Sequence, residues 1–163
     1  MSNVPIQTPY TTTVASLAEL KEYMGLEIGL SPWITIDQDR INQFADITED
    51  RQWIHIDPER AAQFSPFGST IAHGFLVLSF ASKIVYETYQ ITNVQMGLNY
   101  GLDRVRFINP VKVNAQIRGR VRLLDVEILP NGGKLKVEIT FEIMGEEKPA
   151  CVAEFIGMVF VGG

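Results

Sequence analysis

The sequence predicts an α+β fold in which a long antiparallel sheet wraps around one central buried helix. Capping signals and helical apolar spacing fill the first half, up to about Tyr86, whereas period-two alternation fills the second half from Asn93 onward. Helices first and strands after define an α+β arrangement rather than an alternating one. Between the halves lies the longest apolar run of helical composition, Ser69 to Tyr86. There Ile71, Phe75, Leu78 and Phe80 cover one side, and Leu76, Val77, Ile84 and Val85 leave little of the other side polar. A helix apolar nearly all round is expected to be buried on most faces.

The elements follow in order. Residues 1–13, rich in Thr, Pro and Gln, read as a loose arm. Ser16-Leu17-Ala18-Glu19 is a capping box that opens a short helix to Met24, with Gly25 as its stop. A strand over Glu27 to Leu30 is expected to pair at the sheet edge. Thr35-Ile36-Asp37-Gln38 reads as a second box, and the helix behind it carries Ile41, Phe44 and Ala45 on one side. Asp57-Pro58 is a third start, with Asp57 as cap and Pro58 at the first helical position, and that helix ends near Phe64. Ser65-Pro66-Phe67-Gly68 turns the chain into the central helix over Ile71 to Tyr86. Ser69 and Thr70 are its expected caps, and His73 and Gly74 lie in its first turn. Further on, Asn99 to Phe107 alternates, and Val111, Val113, Ala115, Ile117, Val121 and Leu123 share a face. Pro130-Asn131-Gly132-Gly133 is a hairpin turn. Leu135, Val137, Ile139, Phe141 and Ile143 then mark a long strand, Gly145 to Pro149 a second turn, and Ala150 to Phe160 a last strand.

Composition narrows the function classes. A chain of 163 residues that is 46% apolar and 20% charged reads as one globular domain over 1–163. A net charge of -5 argues against a nucleic-acid backbone as the main partner. The single cysteine, Cys151, excludes an intrachain disulfide and a cysteine-based metal site, and with no basic neighbour it reads as packing. The run at 71–86 is too short, and too interrupted by Ser79, Ser82 and Lys83, to cross a membrane. No basic-then-apolar leader precedes Thr11, so a cytoplasmic address is expected.

The candidate chemistry is concentrated. There are two histidines, His55 and His73. The segment Thr48 to Asp57 gathers acid, amide and imidazole between two short helices. An Asp and a His in one loop can serve as acid and base on one substrate. The residue pattern alone leaves the bland alternative open, with Asp50 solvated or capping and His55 a packing histidine. The start of the central helix offers free backbone N–H groups, and Gly74 has no side chain to block approach. His73 is either part of the substrate network or a satisfied structural histidine. In a strand Arg104 and Arg106 share a face, suited to an edge or interface salt bridge or to the phosphates of a bound ligand. Asn99 and Tyr100 could line a pocket mouth, and Met96, Phe80, Leu76 and Phe75 its apolar wall. Two histidines and scattered carboxylates make no convincing metal shell.

Ala45-Asp46-Ile47-Thr48-Glu49-Asp50-Arg51-Gln52-Trp53-Ile54-His55-Ile56-Asp57, followed by Phe67-Gly68-Ser69-Thr70-Ile71-Ala72-His73-Gly74-Phe75, resembles the signature of the MaoC-like dehydratases. That family includes the (R)-specific enoyl-CoA hydratases of hotdog fold. From about Leu17 to the C-terminus, including Asn99 to Phe107 and Pro110, the chain is similar to the branch related to nodulation protein N. The resemblance implies a single hotdog domain and catalytic roles for Asp50 and His55, which would hold one water between them. It further implies that the Gly74 N–H binds the thioester carbonyl. This agrees with the helix-start reading, because developing enolate charge is best met by preorganised donors. The implied reaction is hydration of a trans-2-enoyl thioester to the (3R)-3-hydroxyacyl thioester, and its reverse. No cofactor or metal is implied, since the substrate carries CoA or an acyl-carrier pantetheine arm. A homodimer is implied as well. Gln52-Trp53 stands where many members have Asn-Pro; Gln52 keeps the amide with one more methylene, and Trp53 needs a pocket.

Two rival functions are weighed on the same residues. A thioesterase of this fold would place a carboxylate on or near the central helix, yet no Asp or Glu occurs between Ala72 and Val85, and Glu87 comes only at its far end. A non-catalytic acyl-binding or interaction protein would need neither Asp50 nor His55.

Overall fold

The computed structural model describes residues 7–162. Eight strands form one sheet: β1 (Tyr10–Val14), β2 (Glu27–Leu30), β3 (Ile34–Ile36), β4 (Tyr89–Ile91), β5 (Val94–Phe107), β6 (Ala115–Leu129), β7 (Gly132–Ile143) and β8 (Cys151–Val161). Their order is β4-β1-β2-β6-β7-β8-β5, with β3 also on β6. Every pairing is antiparallel except that of β1 with β4. β7 is paired on both edges, by β6 and β8, and its alternation sets which face meets the core. Leu135, Val137, Ile139, Phe141 and Ile143 all point into the core, while the intervening residues face outward.

The helical half lies on and beside this sheet. Its elements are α1 (Leu17–Leu20) with a 3-10 turn behind it, α2 (Gln38–Thr48), α3 (Trp53–Ile56), α4 (Pro58–Phe64), α5 (Gly74–Ser79) and α6 (Ala81–Thr88). The first capping box forms: Ser16 Oγ accepts from Glu19 N at 3.3 Å, and Glu19 Oε2 accepts from Ala15 N at 2.7 Å. Asp57 caps α4 through Arg60 N at 3.0 Å, with Pro58 at the first helical position, as the sequence predicts. Two glycines let α6 settle onto the sheet. A Cβ at Gly119 would stand 2.3 Å from Ile84 Cγ2, and one at Gly29 would stand 2.2 Å from the Thr88 carbonyl oxygen.

Three expectations change along the first part of the chain. Tyr10–Val14 is a strand rather than a loose arm, paired to both β2 and β4. The start of the described chain is pinned as well, since Arg118 and Arg120 donate to Gln7 oxygens at 3.1 and 2.6 Å; residues 1–6 lie outside the described residues. Thr35 belongs to β3, so the cap of α2 is Asp37, whose Oδ1 accepts from Arg40 N at 2.9 Å. β2 lies inside the sheet, between β1 and β6, rather than at its edge.

The central helix is two helices. They meet at Phe80, and α5 begins only at Gly74, with His73 in the capping position. Ser69 to His73 cannot be helical because their backbone is already engaged elsewhere. Ile71 N donates to Ile54 O at 3.1 Å, Ala72 N to Val111 O at 2.8 Å, and Thr70 O accepts from Val113 N at 3.0 Å. The buried stripe Val77, Ala81, Ile84 and Thr88 faces the sheet, whereas Phe75 and Tyr86 are each 69% exposed on the far side. The helix is therefore buried on one face rather than all round. Among the described residues, no helix is long and apolar enough to cross a membrane.

Candidate active site

α2 ends where Glu49 turns left-handed at φ 63°, and this throws Asp50 and Arg51 out into a loop. The loop closes on α3, a single turn whose His55 N donates to Gln52 O at 3.0 Å. Asp57 then ends α3 and caps α4, so one helix passes directly into the next just after His55. His55 is buried, and its Nδ1 lies 2.7 Å from the Ile71 carbonyl oxygen. A carbonyl can only accept, so that bond puts the ring proton on Nδ1 and leaves Nε2 with a free lone pair. Burial pulls the His55 pKa below its ordinary 6.5, and the neighbouring His73 adds to this. The Ile71 carbonyl and Asp50 act in the opposite direction but do not prevail.

The fold brings His73 directly onto this pair. Its Nε2–H donates to the Asp50 backbone carbonyl at 2.9 Å, and its ring stacks on His55 with centroids 3.8 Å apart and planes 24° apart. Phe44 covers the other side, at 5.0 Å between centroids. His73 Nδ1 is buried without a hydrogen-bond partner among the described residues. Such an unpaired group costs about 1–3 kcal/mol that an apolar ring in the same space would not. Polar atoms of Asp50, His55 and His73 lie within 4.8 Å of one another, so groups that look scattered in sequence converge. Each of the two rings already serves a backbone carbonyl with one nitrogen. Asp50 is the exposed member of the cluster.

Sequence reasoning missed three supports. Gln38 Nε2 donates to the His55 carbonyl at 2.7 Å, and its Oε1 accepts from the buried Thr70 hydroxyl at 2.6 Å. Seventeen residues separate Gln38 from His55, and nothing in the local pattern signals the contact. Phe107, at the end of β5, packs against Gly74 so closely that a Cβ there would stand 3.1 Å from its ring. Gly74 is the first residue of α5, and among the described residues its N–H makes no hydrogen bond within the chain.

The remaining candidates lie apart. Gln52 is exposed, caps α3 only through its backbone, and makes no side-chain hydrogen bond among the described residues. Trp53 finds its cover in Arg60, whose guanidinium sits 4.6 Å above the indole. Asn99 Nδ2 donates to Ser82 Oγ at 3.0 Å, and Tyr100 is exposed on β5. Arg104 and Arg106 are exposed; Arg106 bonds its neighbour's carbonyl, while Asp103 pairs with Lys136. A cavity of about 570 Å³ lies between α6, β5 and β8, lined among others by Ser82, Val85, Met96, Asn99 and Phe155. Of the expected apolar wall only Met96 lines it. Leu76 is core, Phe80 sits under Arg40, and Phe75 packs edge-on against Phe107.

A curled antiparallel sheet carrying a helix on its inner face, with an Asp–His loop at the helix start, is the hotdog arrangement of a hydratase-type site. The chain belongs to the MaoC-like dehydratase family, whose MaoC like domain it matches over residues 20–144. It is 47% identical over 145 residues to 3-hydroxyacyl-thioester dehydratase Z of Mycobacterium tuberculosis, covering 88% of this chain and 95% of that protein. It is 48% identical over 148 residues to nodulation protein N of Rhizobium leguminosarum bv. viciae, covering 88% and 91%. In structure it resembles an R-hydratase from Pseudomonas aeruginosa with a TM-score of 0.69 at 21% identity, covering 91% and 87%. That last likeness speaks for the fold.

Proposed function

We propose that this chain is a 3-hydroxyacyl-thioester dehydratase, which interconverts a trans-2-enoyl thioester and water with the (3R)-3-hydroxyacyl thioester. The observation that carries the reading is the His55 ring. It is buried, proton-fixed on Nδ1 by Ile71, and bare at Nε2 in a cluster with Asp50. Asp50 and His55 hold one water between them. As the water oxygen adds to C3 of the enoyl group, this pair takes up its proton, and negative charge moves onto the thioester oxygen. The Gly74 N–H, free of any partner within the chain, meets that charge. A proton from the pair then reaches C2, so the atoms of water are conserved in the product. Dehydration runs the same steps backwards.

The acyl tail is assigned to the cavity beside α6. From Gly74 to Ser82 is eight residues, roughly 12 Å at helical rise, and the cavity wall includes Val85, Ile91, Met96, Leu98 and Phe155. The carrier is CoA or an acyl carrier protein, and Arg104 and Arg106 are the exposed cations offered to its phosphates. Asn99, which lines the cavity and bonds Ser82, supports its mouth. The proton transfers come from side chains, so no resident cofactor is called for. β5 is a long edge strand that exposes Met96, Leu98, Tyr100 and Leu102. A second copy paired along it would cover both the apolar side chains and the unpaired backbone. The proposed enzyme is therefore a homodimer, acting in the cytoplasm.

The test follows the conjugated enoyl-thioester absorbance with crotonyl-CoA and an octenoyl-CoA, on the wild type and on Asp50→Asn and His55→Ala. The expected result is (3R) product from the wild type and at least roughly a 100-fold loss in both variants. Release of free CoA with the double bond intact would replace this reading with a thioesterase. No turnover of either thioester, with binding retained, would leave an acyl-binding protein.

A further inference from the structure

We propose that His73 is a positioning residue that holds Asp50 and His55 in register with each other. This rests on the assignment of those two as the acid–base pair. Asp50 lies just past a left-handed residue, in a stretch with no regular structure, and its side chain is exposed. A carboxylate so placed has no geometry of its own. The Nε2–H of His73 fixes the Asp50 carbonyl at 2.9 Å, and so fixes the backbone that carries the carboxylate. The same ring lies flat on His55 at 3.8 Å. One imidazole thus touches both members of the pair, by a hydrogen bond to one and by its face to the other.

His73 is itself immobile. It is 3% exposed, wedged between His55 and Phe44, and caps α5, with its carbonyl accepting from Leu76 N and Val77 N at 3.1 and 3.2 Å. The next residue is Gly74, the donor assigned to the thioester oxygen. A single backbone step therefore links the group that sets the water to the group that sets the carbonyl. The unpartnered Nδ1 sharpens the point. A ring kept only for packing would be cheaper without a buried bare nitrogen, so the Nε2–H bond to Asp50 is what the imidazole supplies.

The test uses His73→Phe, which keeps the stack and loses the Nε2–H, and His73→Gln, which keeps an N–H donor and loses the ring. Misplacing a catalytic group by an ångström costs on the order of 100-fold, so His73→Phe should lower kcat about 10- to 100-fold with KM changed less than about threefold. His73→Gln should regain part of that loss. In an Asp50→Asn background, His73→Phe should cost less than about threefold more, because groups acting as a unit are not additive. Far-UV circular dichroism and thermal melts of each variant show whether it has folded. Full additivity with Asp50→Asn, wild-type kcat in folded His73→Phe, or a loss confined to KM would each overturn the proposal. If Asp50→Asn and His55→Ala keep wild-type activity, the parent reading fails instead, and the two failures are told apart.

Discussion

The fold treats two polar stretches of this chain in opposite ways. Around His55 and His73 the loop 49–57 and the segment 69–74 are closed, with Asp50 at the exposed rim. His55 and His73 are 7% and 3% exposed, and bonds from Gln38, Ile71 and His73 tie the two segments together. β5 is open. Of its fourteen residues only Val94 and Val105 are even half-buried, and its pairing with β8 shifts register three times. The difference separates what one chain can finish from what it leaves unfinished. Proton chemistry needs donors and acceptors that do not reorganise, and the loop has them within one chain. On the β5 side, the proposed acyl cavity is walled by residues that stay exposed, Met96 and Leu98 among them.

The contrast is broken most directly at Gly74, where the two regions touch through Phe107. Gly74→Pro removes the N–H at the first helical position, where proline is otherwise well accepted. His73 already has φ -58° and ψ 138°, a conformation compatible with a following proline. The expected loss in kcat is on the order of 100- to 1000-fold, the usual effect of deleting an oxyanion donor. Gly74→Ala keeps the N–H and adds only a Cβ against the Phe107 ring, 3.1 Å away. It should cost several-fold at most. Equal losses in the two variants would mean that crowding at Phe107, rather than the N–H, matters there.

On the open side the expected effect is on assembly. Leu102→Arg places a cation on the exposed face of β5 outside the cavity lining. If a second copy pairs there, like charges meet and the dimer weakens by about 50-fold, read by sedimentation over a concentration series. Unchanged assembly would move the contact elsewhere. On the closed side, Gln38→Leu strands the His55 carbonyl and the buried Thr70 hydroxyl. That should remove about 1–3 kcal/mol of stability by urea unfolding, with activity down about tenfold. A change confined to activity would show that Gln38 aims the loop without holding the fold.

Sequence reading reached these two regions unequally. The strands from Asn99 to Phe160 were legible because period-two alternation has one meaning once the turns at Pro130 and Gly145 are fixed. The Asp50, His55 and Gly74 assignments came through the family resemblance, and the fold does bring Asp50, His55 and His73 together. The continuous central helix failed for a physical reason: Thr70, Ile71 and Ala72 give backbone groups to Val113, Ile54 and Val111, partners remote in sequence. Gln38 was missed for the same reason. Tyr10–Val14 looked loose because it lacks apolar–polar alternation, although Tyr, Thr and Val all favour strands and it pairs with β2 and β4.

The smallest effect concerns pH, and it measures the dryness of the closed side. Burial lowers the His55 pKa below 6.5, against the pull of Asp50 and of the Ile71 carbonyl. As the proposed base, His55 works neutral, so the acid limb of kcat/KM should lie below pH 6.5 and the rate at pH 7 should be flat. The same shift acts on stability. The unfolded chain, with the ordinary pKa, binds the proton first as pH falls. The stability His55 permits is thus complete above its unfolded pKa and is lost as pH drops through the lower folded value. Urea unfolding of His55→Gln should therefore show a shallower fall in stability below about pH 6.5 than the wild type. An acid limb above 6.5 would mean that Asp50 outweighs burial at the ring. The site would then be wetter than its exposure suggests, and the contrast between a sealed loop and an open strand would lose its electrostatic half.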